Sequence, residues 1–292
     1  MFEKIENCPI CDSPSFTNHL ICEDHSISGE SFAIVKCNNC DFLFTNPRPS
    51  QEVIHKYYES EDYISHSNKG NSLVNIAYKL VRNHTIKKKI KMIRGLLGAE
   101  PVRILDVGSG TGEFLKACSN KGWETIGVEP NQGARELATS YGLDIKSSLS
   151  EVKDQFNVIT LWHVLEHLPD LNDTLKSLSK LLKKNGKLII AVPNNESYDA
   201  KEFGAQWAGY DVPRHFYHFT QDSIRKLFKN HNFKLSKTLP MKFDSYYVSM
   251  LSNRYQTGSN KYLKSILTGY SSNSYASKNN NNYSSLIYIV NK

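Results

Sequence analysis

The sequence lacks any run of about 18 consecutive apolar residues, which is the length that a membrane-spanning helix needs. It also lacks an apolar stretch at its start, where MFEKIENCPICD has acids and cysteines in place of the core of a signal peptide. From these two absences we expect a cytoplasmic chain with no membrane partner. A reducing compartment disfavours disulfides, so the six cysteines need another explanation.

Acidic residues are missing from two long stretches. Eight bases and no acid lie between Tyr63 and Ala99, and five bases and no acid follow Asp244. The net charge of the 292 residues is +7, so the rest of the chain is net negative. A basic stretch can bind nucleic acid or form the solvated face of a helix. Because the bases avoid the cysteine-rich and glycine-rich segments, we favour the solvated face and do not expect a nucleic-acid partner.

Four of the cysteines form two C-x-x-C pairs, Cys8 with Cys11 and Cys37 with Cys40. Two such pairs can surround one zinc ion with a tetrahedron of thiolates, which leaves no open position for chemistry. A redox dithiol would need only one pair, within a βαβ unit that this segment lacks. The sequence therefore predicts a structural zinc ion in a zinc-ribbon-like domain over residues 1–48.

Residues 49–100 are predicted to be a helical linker or lid. Apolar residues recur at helical spacing over residues 51–60 and 72–97, and the bases of the second helix lie mainly at the other positions. Three tyrosines in this segment could cover a ligand or pack in the core: Tyr57, Tyr58 and Tyr63.

Residues 101–292 alternate short apolar strands with amphipathic helices, which is typical of a parallel sheet covered on both faces. Strands are predicted at residues 103–107, 125–129, 144–147, 156–162, 187–192, 234–239 and 285–290. Helices are predicted at residues 112–121, 133–141, 171–183 and 221–230. An Asn- and Ser-rich insertion at about 253–284 has the composition of a mobile loop.

The strongest motif is ILDVGSGTGEFL, which begins at Ile104. A buried strand ends near Asp106, and glycines at 108, 110 and 112 permit a tight turn into a helix whose first N–H groups can bind a ligand. The Asp106 carboxylate would repel a pyrophosphate but tolerate an ammonium group. The second strand ends at Glu129, where a carboxylate can accept both hydroxyls of a ribose. These features predict an adenosine ligand without a pyrophosphate and disfavour a nicotinamide-dependent oxidoreductase.

Four segments in this order resemble the class I S-adenosylmethionine-dependent methyltransferases: ILDVGSGTGEFL, GVEP, FNVITLWHVLEHLPD and NGKLIIAVPN. The resemblance covers about half of the chain. It implies an α/β fold with a Rossmann-like seven-stranded sheet, preceded here by the small zinc-ribbon-like domain. The last strand, SLIYIV, would run antiparallel between strands five and six.

The resemblance also implies which residues bind S-adenosylmethionine. Those that would line its methionine part are Asp106, Gly108, Ser109, Gly110 and Gly112. Glu129 would hold the ribose, and Ser148 and Leu149 would lie near the adenine. Trp162 and His163, after the fourth strand, would border the pocket.

His163, Glu166 and His167 form the pattern H-x-x-E-H, which in isolation would suggest a zinc hydrolase. The segment follows the fourth strand of the methyltransferase series, however, and the family commonly has leucine, glutamate and histidine there. We therefore interpret the match as accidental.

Residues 206–220 follow the fifth strand, on the side where open α/β sheets bind ligands, and are rich in titratable groups. Methyl transfer to a hydroxyl or an acidic carbon requires a base, and histidine suits neutral pH. We predict that His215 is this base. The chain resembles sugar C-methyltransferases, which also have a four-cysteine zinc domain and in which a histidine near this place is the base. Packing of the loop over the sheet explains these histidines and aromatics equally well.

The sequence thus predicts an S-adenosylmethionine-dependent methyltransferase with a small-molecule acceptor. A saccharide or nucleotide-sugar, methylated on oxygen or carbon, is the leading candidate. An RNA methyltransferase is the first alternative, but the fourth motif lacks the Asn/Asp-Pro-Pro-aromatic sequence and the cysteine segment has few bases. A non-catalytic scaffold that binds zinc and the cofactor is the second.

Overall fold

The computed structural model describes residues 1–58, 73–98 and 102–292. The strands are β1 (Phe2–Glu3), β2 (Phe16–Glu23), β3 (Ser31–Cys37), β4 (Leu43–Thr45), β5 (Arg48–Pro49), β6 (Arg103–Val107), β7 (Glu124–Val128), β8 (Asp144–Lys146), β9 (Phe156–Trp162), β10 (Leu182–Pro193), β11 (Tyr217–His218), β12 (Lys234–Pro240) and β13 (Ser285–Asn291). The α-helices are α1 (Leu73–Leu97), α2 (Glu113–Ser119), α3 (Gln132–Ser140), α4 (Leu171–Leu181), α5 (Tyr198–Phe203), α6 (Gln221–Asn230), α7 (Asp244–Thr257) and α8 (Tyr262–Lys278). None of these helices is long and apolar enough to cross a membrane.

Seven strands form the central sheet, in the order β12–β13–β10–β9–β6–β7–β8. Strands β6 to β10 run parallel, whereas β13 runs antiparallel between β10 and β12. The structure therefore confirms the mixed α/β fold and the seven-stranded Rossmann-like sheet. Continuous apolar strands buried on both faces made most of these ranges predictable to within a residue or two.

The N-terminal strands do not stand apart from this sheet. β2, β3 and β4 form a second sheet, and its fourth strand is β11, which comes from the predicted acceptor segment 206–220. Phe42 stacks on Tyr217 with ring centroids 6.1 Å apart. The N-terminal segment with the four cysteines (residues 1–48, called the cysteine module below) and the acceptor segment consequently share one core. The division into 1–48, 49–100 and 101–292 stays a prediction.

The linker contains less helix near its start than predicted. Ile54–Tyr58 form a 3₁₀ turn in place of the helix expected over residues 51–60, and α1 accounts for the helix expected over 72–97. Tyr57 is buried and donates a hydrogen bond to Glu30 over 2.6 Å. Tyr63 lies outside the described residues.

The Asn- and Ser-rich insertion is helical, and its prediction as a mobile loop is wrong. Helices α7 and α8 pack as a hairpin through small polar residues. Asn253 donates to the Ser265 hydroxyl over 3.1 Å, and Ser245 donates to the Gly269 carbonyl over 3.1 Å. A Cβ at Gly269 would lie 2.9 Å from the Tyr246 Cα, so only glycine permits this close approach. The contact surface is polar, and a search for apolar periodicity therefore overlooks it.

Candidate functional site

Strand β6 leads into the glycine loop at the carboxyl edge of the sheet. Gly108, Gly110 and Gly112 have φ values of +70°, +54° and +82°, in the left-handed region that favours glycine. A Cβ at Gly108 would lie 2.4 Å from the Val164 side chain. One at Gly112 would lie 2.8 Å from the Cβ of Ala138. A Cβ at Gly110, by contrast, would meet no atom within 4 Å, so the loop has room for a ligand there.

Glu129 follows β7 and faces the glycine loop. Its Oε2 accepts a hydrogen bond from the Gly110 amide, and its Oε1 accepts one from the Asn131 amide, both over 2.9 Å. Ser148 follows β8, the next strand of the sheet, and its hydroxyl lies 2.7 Å from that of Ser150. The predicted ribose and adenine residues thus lie after neighbouring strands.

Asp106, which lies in β6 just before the glycine loop, has a buried carboxyl group. It is 3% exposed and accepts a hydrogen bond from Thr160 over 2.5 Å. Burial raises the pKa of Asp106 to about 7, although the Thr160 hydroxyl and the charge of Lys89 oppose the shift. This carboxylate needs a cation to be fully ionised at neutral pH.

Lys89 of α1 is a residue of this site that the sequence analysis missed. Its Nζ lies 3.8 Å from the centroid of the Trp162 ring. Burial lowers the pKa of Lys89 to about 8, although the charges of Asp106 and Asp244 oppose the shift. The sequence did contain a sign that Lys89 is buried: it lies three residues after Ile86 and four before Ile93, within the apolar stripe of the helix.

Two polar groups of the loop region are buried and have no hydrogen-bond partner among the described residues: the Ser109 hydroxyl and the Trp162 indole N–H. Buried polar groups are rarely left unpaired, and a ligand can satisfy them. Together with the space beside Gly110, they fit a polar ligand such as the cofactor predicted from the sequence.

His163 links the loop region to the α-helical hairpin. It has a φ of +56°, and its Nε2 lies 3.0 Å from Oδ2 of Asp244, the first residue of α7. Burial disfavours the charged imidazole, but the neighbouring carboxylates of Asp244 and Glu166 raise the pKa of His163 to about 10. Leu165–His167 form a 3₁₀ turn, so the two histidines of H-x-x-E-H do not share the face of an α-helix.

On the acceptor side, His215 is 8% exposed and lies against His167, with ring centroids 4.5 Å apart. The neighbouring Arg214 is fully enclosed. Its guanidinium donates to Asp24 and Asp211, each over 2.8 Å, and to the Tyr57 carbonyl over 3.0 Å. This pairing fixes the acceptor segment to the cysteine module. Asp24 and Asp211 had no role in the sequence-based site.

The four predicted zinc ligands converge. Cys8 and Cys40 have sulfur atoms 3.6 Å apart, those of Cys11 and Cys37 are 3.5 Å apart, and all four lie within 4.8 Å of one another. Sulfurs bound to zinc at about 2.3 Å lie slightly under 4 Å apart. The cluster thus fits a tetrahedral zinc ion, which stays a prediction.

Comparison with known proteins agrees with this geometry. Residues 78–238, more than half of the chain, match a family described as a methyltransferase domain. The ubiquinone biosynthesis O-methyltransferase of Bradyrhizobium diazoefficiens is 26% identical over 145 residues, which cover 46% of this chain and 57% of that protein. The chain spans about half the length of the curated relatives it matches.

Solved structures show the same fold. The magnesium protoporphyrin IX methyltransferase of Synechocystis with bound S-adenosylhomocysteine has a TM-score of 0.55 at 12% identity, over 83% of this chain and all of that one. The 1,6-didemethyltoxoflavin-N1-methyltransferase of Burkholderia thailandensis has a TM-score of 0.52 at 15% identity, over 94% and 99% of the two chains. This chain belongs to the class I S-adenosylmethionine-dependent methyltransferases.

Proposed function

We propose that this protein transfers a methyl group from S-adenosylmethionine to a small molecule, at a hydroxyl oxygen or an acidic carbon. The observation that carries the proposal is that residues of the predicted cofactor pocket and residues of the acceptor segment lie next to one another. His163, which borders the predicted cofactor pocket, lies 3.4 Å from Glu166, and Glu166 is adjacent to His215 of the acceptor segment. The name of the Bradyrhizobium relative supports a hydroxyl acceptor, and the resemblance to sugar methyltransferases keeps a saccharide as the first candidate.

The cofactor would supply an electrophilic methyl group on its sulfonium. Asp106 is the proposed partner of its ammonium group, the glycine loop borders its methionine part, and Glu129 would accept hydrogen bonds from its ribose hydroxyls. The Ser109 hydroxyl and the Trp162 indole N–H have no hydrogen-bond partner among the described residues, and such a ligand can satisfy them. Ser148 and His163 complete the set of proposed pocket residues.

The pH dependence of cofactor affinity tests the role of Asp106. Because the pKa of Asp106 is raised to about 7, this carboxyl is protonated at lower pH and pairs poorly with an ammonium group. Calorimetry should therefore show that affinity for S-adenosylmethionine increases as the pH rises from about 5.5 to 7, by up to tenfold per unit. Asp106→Asn should bind weakly with a flat profile. Affinity that falls with rising pH in the natural protein would contradict this role.

His215 is the proposed group that promotes loss of the acceptor's proton. Its Nδ1 lies 3.0 Å from the Gly209 carbonyl, so Nδ1 carries the hydrogen and Nε2, which lies 3.9 Å from Oδ2 of Asp211, keeps its lone pair. Replacing His215 with alanine should lower kcat by about 10²- to 10⁴-fold and leave cofactor affinity nearly unchanged. The control is His231→Ala, because His231 follows α6, bonds Asn172 and lies outside the group formed by Glu166, His167 and His215. A large loss of cofactor affinity in His215→Ala would place His215 in the cofactor pocket instead.

A screen with radiolabelled cofactor identifies the acceptor class. Nucleotide sugars, free saccharides, catechols and bulk RNA are incubated in parallel with the full chain. Label transferred to small molecules supports the proposal. Label confined to RNA would favour the alternative enzyme, and cofactor binding without transfer to any class would favour a scaffold.

A further inference from the structure

A buried carboxylate and two imidazoles converge beside the proposed acceptor site. One potential ligand atom from each of Glu166, His167 and His215 lies within 4.8 Å of the other two. Glu166 is 0% exposed, and neither of its carboxylate oxygens has a hydrogen-bond partner among the described residues. Its one ion-pair contact there is with His163 Nδ1 at 3.4 Å from Oε1, which is longer than an ordinary hydrogen bond.

This environment is unusual for a carboxylate. A buried anion is normally held by several hydrogen bonds or by a bound cation. His163 is shared with Asp244, which lies closer to it, at 3.0 Å from Nε2. Glu166 therefore has coordinating capacity that the described side chains do not use.

The two imidazoles are oriented as metal ligands usually are. His167 Nδ1 lies 3.0 Å from the Arg214 carbonyl and from the Tyr58 hydroxyl, and His215 Nδ1 lies 3.0 Å from the Gly209 carbonyl. A carbonyl oxygen can only accept, so each Nδ1 carries the hydrogen and each Nε2 keeps its lone pair. A histidine that binds a metal typically anchors its other nitrogen in this way.

We propose that Glu166, His167 and His215 bind one divalent transition-metal ion. Two imidazoles and one carboxylate suit Mn²⁺, Fe²⁺, Co²⁺ or Zn²⁺. Ligands bound at about 2.1 Å lie about 3 to 4 Å apart, and the three candidate atoms lie within 4.8 Å of one another, so the side chains need to close by at most about 1 to 2 Å. The ligand set differs from that of the H-x-x-E-H pattern: His163 pairs with Asp244, and the third ligand comes from the acceptor segment.

The ion deepens the proposed function and rests on it for the nature of the acceptor. Three protein ligands leave positions open for two adjacent oxygens of a vicinal diol or a catechol. The positive charge lowers the pKa of a coordinated hydroxyl. In this arrangement His215 would act as a ligand of the ion, because an Nε2 that binds a metal cannot also take a proton. The proton of the coordinated hydroxyl would pass to solvent water.

Titration with Co²⁺ tests the site directly. The full chain is purified with zinc supplied, dialysed, and titrated with Co²⁺ while metal content and visible absorption are measured. We expect one Co²⁺ per chain in addition to zinc, with weak visible bands and without the intense charge-transfer absorption that cobalt–thiolate bonds produce. Glu166→Gln and His215→Ala should each weaken this binding by at least about tenfold, whereas His231→Ala should bind Co²⁺ normally.

Two results would overturn the site. One is a natural protein that binds no Co²⁺ at micromolar concentration, or binds it only with a thiolate spectrum. The other is undiminished Co²⁺ binding in both Glu166→Gln and His215→Ala. Because the first result needs no variant, a folding defect does not hide the answer. Methyl transfer that persists in the presence of a chelator would show that the reaction needs no metal ion, and the proposed function would still hold. If the protein does not bind S-adenosylmethionine, the proposed function is refuted, whatever the result of the Co²⁺ titration.

Discussion

Replacing Gly110 with arginine should abolish measurable binding of S-adenosylmethionine. The backbone of Gly110 has a φ of +54°, and the space beside it is open, so an arginine side chain would extend into the region proposed for the cofactor. Its guanidinium could also pair with Glu129, which already accepts a hydrogen bond from the Gly110 amide. Isothermal calorimetry should show a loss of affinity of more than about 100-fold, or more than about 2.7 kcal/mol of binding free energy. The roughly 1–2 kcal/mol that a left-handed non-glycine residue costs is a loss of folding stability and does not account for this loss of affinity.

The control for this substitution is Gly122→Arg. Gly122 has a φ of +77° and, like Gly110, no atom within 4 Å of a Cβ position, so the same backbone cost arises in a turn that follows α2. Cofactor affinity should be unchanged in this variant. Equal binding by Gly110→Arg and the natural protein would refute the assignment of the glycine loop to the cofactor.

Replacing Cys8 with serine should release the zinc ion and destabilise much more than the cysteine module. Cys8 is buried in the same core as Phe42 and Tyr217, and β4 of the module pairs with β11 of the acceptor segment. Binding of structural zinc is worth about 10–16 kcal/mol in small domains. If about 4 kcal/mol of it is lost, the melting temperature falls by about 10 °C.

Cys22→Ser is the matched control, since Cys22 is equally buried and lies outside the four-cysteine cluster. Elemental analysis should find about one zinc per chain in the natural protein and in Cys22→Ser, and less in Cys8→Ser. Calorimetric melting measures the stability of each. A Cys8→Ser variant with full zinc content and an unchanged melting temperature would contradict the structural role.

Part of the site was predictable because local sequence determines it. Gly108 and Gly112 need a left-handed backbone and close packing, and Asp106 and Glu129 end adjacent parallel strands. Parallel strands bring their carboxyl ends to one edge, so spacing along the chain sufficed to place these residues together. The two C-x-x-C pairs are similarly local, and each needs only the other to form a cluster.

Other parts depended on contacts that no local pattern encodes. Lys89 was interpreted as one of several solvated bases, yet the packing of α1 places it over Trp162. Helices α7 and α8 associate through serine, asparagine and glycine, and composition alone therefore indicated a loop. Asp244, at the start of this hairpin, reaches His163.

The sequence by itself determined the family, the ranges of most strands of the central sheet and the glycine loop proposed for the cofactor, because apolar strands, glycine turns and paired cysteines are short-range signals. Only the tertiary structure decided that the cysteine module and the acceptor segment form one sheet, and that Glu166, His167 and His215 meet. Those contacts join residues that are far apart in the chain. Their strength comes from burial and from hydrogen bonds such as those of Arg214, which arise only once the whole chain is packed.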